Sequence, residues 1–268
     1  CDSFCFTLQM LSLTIVSSVD SSIGRVDKSS IPQQSLMELF VKEYAHTDKI
    51  FDHPESDITE WKGVRLNDSK EVVKIVWWER ECEGTFSFEW LPQTVQSFHL
   101  GYTQLGGTLD LTILPSCLTV LELFSGQFRG SIDLTSLPPT MSQILISQTP
   151  LSGSLDLTRL PNTLSKLGTP ENAFSGTVCL TKLLNALSHL NLATNQLSGS
   201  LDLTRLPDKL HDLFLMNNRF SGWADLSSLP RRLVRLNVCN NKDLEGRLIN
   251  PPELFRTYMT KIEVVSDA

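Results

Sequence analysis

The chain has 268 residues, 41% of them hydrophobic and 20% charged, which is enough apolar material for a packed core. Its 23 basic and 30 acidic side chains leave a net charge of −7, which argues against nucleic acid as the main partner, because that function leaves a basic stripe. The six cysteines show no C-x-x-C spacing, so neither a zinc motif nor a thiol–disulfide motif is present.

At the N-terminus, residues 4–19 have the apolar character of a secretory leader and are followed by small residues, but the charged segment that usually precedes one is missing. Residues 1–20 therefore read as a truncated leader, with a buried or disordered start as the alternative. Residues 21–66 read as a cap. Within it SLMELFVKEY (35–44) predicts an amphipathic helix, with Met37, Phe40, Val41 and Tyr44 on one face and a capping box at Ser35 and Glu38. Asn67-Asp68-Ser69 is a glycosylation sequon that only a secreted chain would use. Past the leader, no segment approaches the ~20 apolar residues that a bilayer span needs.

From there the chain is periodic. LSGSLDLTRLP occurs twice, at 151–161 and 197–207, and related segments recur every 23 residues: CEGTFSFEWLP, LGGTLDLTILP, FRGSIDLTSLP, FSGTVCLTKLL and FSGWADLSSLP. Between them runs L-x-x-L-x-L, for example Leu118/Leu121/Leu123 and Leu210/Leu213/Leu215. Its last two apolar positions have the two-residue spacing of a strand buried on one face. Asn172, Asn195, Asn218 and Asn241 follow in the later units, where a buried side-chain amide can satisfy turn backbone. Two residues further comes an apolar column of Cys82, Leu105, Phe128, Leu151, Phe174, Leu197 and Phe220. A period of this length predicts stacked coils, each able to bury its apolar edge only against its neighbours.

These motifs resemble the leucine-rich-repeat family, and NLATNQLSGSLDL (191–203) is similar to its plant-type subclass. The L-D-L-T-x-L-P ending also resembles repeats in surface proteins of kinetoplastid protists. Trp61, Gly63, Val64 and Asn67 match the plant-type cap, whereas Leu66 stands where that cap carries Cys. The resemblance implies a horseshoe solenoid of about eight to nine coils over 67–268, with short parallel strands on the concave side, an irregular or 3-10 convex side and a helical N-terminal cap.

Two features depart from plain repetition. Asp110, Asp133, Asp156, Asp202 and Asp225 stand in register, each followed two residues on by Thr or Ser. This column reads as side chains bonding their own turns, with a Ca²⁺ ladder as the rival. In the fifth coil Thr169 and Pro170 replace the usual strand residues, which predicts a bulge or a change of curvature.

On the concave strands the positions between the leucines face solvent, and there Trp78, Tyr102, Phe124, Leu145, Phe214 and Met216 are apolar where a solvated face would be polar. With His99 and Glu122 they form the candidate ligand-binding set. Trp78, His99, Tyr102, Phe124 and Leu145 are expected to make one patch on the N-terminal half, the alternatives being burial under the cap or scattered singles. Aromatic anchors of this kind dominate binding energy. The five histidines show no H-E-x-x-H, and no G-x-S-x-G, phosphate loop or dinucleotide motif occurs. The expectation is thus a non-enzymatic module that binds a protein or peptide on its concave face, with no cofactor and no metal. The alternatives are a glycan-binding module and a structural or adhesive cell-surface element. An extracellular or cell-surface location is expected, with the cytoplasm as the alternative, and membrane attachment only through segments outside this chain.

Overall fold

The computed structural model describes residues 28–79 and 82–265. The chain forms two compact units, residues 1–32 and 33–268. In the first, Lys28–Ser30 makes a single 3-10 turn. The second holds all the structure that follows.

The amphipathic segment forms helix α1 (Gln33–Val41), which buries Leu36, Met37, Phe40 and Val41. It starts two residues earlier than Ser35, so the expected capping box does not form. Pro32 precedes the helix, and its fixed φ suits a helix start. The side chains of Gln33 and Gln34 then tie this end down: Gln33 Nε2 donates to the Lys70 carbonyl at 3.0 Å, and Gln34 Oε1 accepts from the Ile58 amide at 2.8 Å. Tyr44 leaves the helix for a short strand, Tyr44–Ala45, antiparallel to Glu83–Thr85. Phe40 packs on Trp77, Phe86 and Phe98, ring centroids 5.9, 5.6 and 5.8 Å away, and so closes the apolar end of the stack. Trp61 is buried beside Phe51, its indole N–H held by the Ser56 carbonyl.

The L-x-x-L-x-L segments build a ten-stranded sheet: β1 (Val64–Leu66), β2 (Val72–Trp78), β3 (Ser97–Gly101), β4 (Val120–Phe124), β5 (Gln143–Ser147), β6 (Lys166–Gly168), β7 (His189–Asn191), β8 (Asp212–Phe214), β9 (Arg235–Asn237) and β10 (Phe255–Arg256). Only the β1–β2 pair is antiparallel; every later strand pairs parallel with the one before it. The Ser-Gly segments make further parallel strands on the other side of the coils, such as Gln196–Gly199 and Arg219–Ala224. The core lies between. Ile75, Phe98, Leu121, Ile144, Leu190, Leu213 and Leu236 are wholly buried, as are Leu105, Phe128, Leu151, Phe174 and Leu197 of the expected column. Phe128, Phe174 and Phe220 alternate there with leucines, which is why the identical segment returns at twice the repeat.

The Asn ladder works as expected. Asn218 Nδ2 donates to the carbonyls of Leu192, Leu215 and Met216, and its Oδ1 accepts from the Leu197 amide. The Asp column belongs to the turns: each Asp accepts from the amide and the hydroxyl of the Thr or Ser two residues on, for example Asp202 from Thr204 at 3.0 and 2.6 Å. Those bonds hold the carboxyls of Asp133, Asp156, Asp202 and Asp225 below their ordinary range.

Coil five differs from expectation. Its register runs unshifted on both sides, so there is no bulge. Instead the strands shorten from five residues in β3–β5 to three in β6–β9. Pro170 has no amide proton to extend β6. In β7 and β9 the next amides, of Ala193 and Cys239, are taken by Asn191 and Asn237 Oδ1 rather than by a neighbouring strand.

Candidate functional site

The outward face of the ten-stranded sheet, which the resemblance makes the concave one, carries its side chains in columns one coil apart. Register places Trp78, Gly101, Phe124 and Ser147 in one column, and Val76, His99, Glu122 and Leu145 in another. Glycine at 101 decides how the first column packs. A Cβ there would strike the six-membered ring of Trp78, so Gly101 lets the indole lie flat across β3 and reach Phe124, with centroids 5.2 Å apart. Tyr102 and His99 flank the indole at 6.2 and 6.4 Å. Gly168 does the same for Leu145, whose Cδ1 occupies the space a Cβ would fill.

Tyr102 stands at a corner. It is one of eight residues, from Glu79 to Asn240 at 23-residue steps, that end the concave strands with φ between 49° and 59°. This left-handed turn costs a non-glycine residue roughly 1–2 kcal/mol, and Tyr102 is left 57% exposed beside the strip. Trp78, His99, Phe124 and Leu145 are half-buried. The structure thus brings Trp78, His99, Tyr102 and Phe124 together, while Leu145 stands on the strand after Phe124, in the column of His99 and Glu122.

A polar chain crosses the strip's floor. Glu122 accepts from His99 Nδ1 at 2.7 Å and from the Gln143 amide, while the Ser97 hydroxyl donates to His99 Nε2 at 2.6 Å. The bond from His99 is the main reason the Glu122 carboxyl lies below its ordinary range, against partial burial that would raise it. Glu122 therefore acts as a fixed acceptor that orients His99. Phe214 and Met216 lie apart, three coils beyond Leu145. The Arg235 guanidinium covers Phe214 at 5.5 Å, and Asn237 Nδ2 contacts Met216 Sδ at 2.8 Å.

A second cluster sits on β7–β9. Register aligns His189, Asp212 and Arg235. Asp212, expected to face solvent, is wholly buried under them. Arg235 grips it with Nε and Nη2, His189 Nε2 lies 2.8 Å from Oδ2, and His211 Nδ1 lies 3.0 Å from Oδ1. Burial works to raise this carboxyl, but the bonds from Arg235 and His211 outweigh it and hold it below the usual range.

Comparison with protein-family profiles finds no match, and comparison with curated proteins finds none either. Solved structures do match. A pollen receptor kinase 3 superposes with a TM-score of 0.54 at 21% identity, covering 75% of this chain and 95% of that one. A plant ice-binding protein gives 0.51 at 18% identity, covering 88% and 95%. The leucine-rich-repeat ectodomain of the receptor kinase SOBIR1 from Arabidopsis thaliana gives 0.44 at 23%, covering 62% and 94%. The fold is a leucine-rich-repeat solenoid.

For this leucine-rich-repeat chain, sequence reasoning found the aromatic positions and missed the residues that arrange them. Gly101 and Gly168 fall at ordinary concave positions, and nothing local marks them as the floor under Trp78 and Leu145. The proximity of His211 to His189 was also missed, because their separation is one short of the repeat and only the stacked coils bring the rings to 5.9 Å.

Proposed function

We propose that this solenoid is a non-catalytic recognition module that binds a protein or peptide on its concave face, outside the cell or at its surface. The observation that supports this most is the Trp78 indole laid over Gly101 against Phe124, with Tyr102 exposed beside it. Adjacent aromatic groups that are only half-covered are what a partner's apolar anchor would bury, and such anchors carry most of an interface's energy. The matched pollen receptor kinase 3 is a receptor by name, which agrees with a recognition role. Among the described residues no helix is long and apolar enough to cross a membrane.

The test is selection of ligands from a displayed peptide library and from secreted proteins, followed by affinity measurement on Trp78→Ser/Phe124→Ser. Loss of two anchors should weaken binding at least ~100-fold, since each hot-spot residue contributes about 2 kcal/mol or more. The double variant should still unfold cooperatively. A variant that binds as well as the parent would refute the assignment, and one that no longer folds would place both residues in the core. A glycan array run in parallel separates the carbohydrate alternative.

A further inference from the structure

The second cluster is not needed by the aromatic strip. Ser142, Ser165 and Ser188 form a ladder in which each hydroxyl donates to a carbonyl one coil back, at 2.9, 3.0 and 3.0 Å. With the single proton of Ser188 kept in that ladder, the hydroxyl is left as an acceptor. Its 2.7 Å contact with His189 Nδ1 is then a bond donated by the imidazole. A neutral His189 with its proton on Nδ1 presents a bare lone pair at Nε2, 2.8 Å from Oδ2 of ionised Asp212. In that tautomer two acceptors face each other, an arrangement that a second proton or a metal ion between them relieves.

We propose that His189 Nε2, the His211 imidazole and the Asp212 carboxylate form a binding site for one divalent transition-metal ion of the zinc class. The three residues offer donor atoms that all lie within 4.8 Å of one another. Zinc binds such nitrogen and oxygen donors at about 2.0–2.2 Å, which sets neighbouring ligands roughly 3.3 Å apart. The spacings of 2.8 and 3.0 Å to Asp212 are close to that, and the half-exposed His211 ring has room to turn toward the ion. Supporting contacts are in place: Ser188 fixes the His189 tautomer, and Arg235 fixes the carboxylate. The open coordination position faces a shallow hollow of about 560 Å³ lined by Ser188, Lys209, Arg232 and Val234. Lys209, Arg232 and Arg235 oppose a cation, so affinity on the order of micromolar is expected rather than the tighter binding of a structural zinc site.

The full chain, stripped with a chelator, is titrated with Co²⁺ by visible absorption and with Zn²⁺ by calorimetry. One equivalent should bind, with the intense visible bands of tetrahedral nitrogen and oxygen ligation, and acidification should abolish binding as the imidazoles take up protons. His211→Ser, which restores the hydroxyl residue of the three preceding coils, should weaken binding at least ~10-fold, and the metal-free variant should still unfold cooperatively. His189→Gln should remove it. No saturable binding, or equal binding by His211→Ser, overturns the proposal. A sulfur-to-cobalt charge-transfer band does so too, because it places the ion on cysteine.

Discussion

Single residues in this solenoid are either repeated because the coil needs them or changed where one coil does something different. Thr169 is the clearest change. It occupies a leucine position, is wholly buried, and its hydroxyl finds no partner. An unsatisfied buried polar group costs about 1–3 kcal/mol. Thr169→Val keeps the shape and removes the hydroxyl, so chemical denaturation should show a gain of about 1 kcal/mol. A loss of stability would mean that the hydroxyl is satisfied in solution. Gly101 is a change of the opposite kind, giving up a side chain so that a neighbour's indole can lie flat.

At the scale of the element, what holds the later coils is the Asn ladder together with the apolar columns. Asn218→Ala would leave the buried Leu197 amide without a partner and take one donor from three carbonyls that each keep another, from Asn195, Asn241 and the Thr194 amide. We expect a loss of about 2 kcal/mol in denaturant unfolding; a loss under ~1 kcal/mol would show that water replaces the side chain. These elements were legible in the sequence because every rule that makes them recurs at a fixed step, and eight weak signals in register make one strong one. The helix start was not legible. Ser35 and Glu38 have capping-box spacing, yet Pro32 and the two glutamines, whose partners lie up to 39 residues away, set the boundary. Asp212 was misread for the same reason. Its strand position is a solvent-facing one, and only the side chains from the coils on either side cover it.

Over the molecule as a whole, the coils set two concave clusters of different chemistry on one sheet. The aromatic strip spans β2–β5 and the His–Asp–Arg cluster spans β7–β9, with short β6 between. The strip's membership could be read from periodicity, since register alone places Trp78 and Phe124 in one column. Its packing could not, because it depends on what a glycine on the neighbouring strand leaves empty. Exposed aromatic surface also exists off this face: Trp223 is 63% exposed on the strand Arg219–Ala224 of the other sheet. That residue supplies the control for the central claim. A photo-crosslinking amino acid is placed at Tyr102 in one chain and at Trp223 in another, and each is irradiated with a selected peptide ligand. Concave recognition predicts covalent capture from position 102 and none above background from position 223; capture from 223 alone, or equally from both, would contradict it.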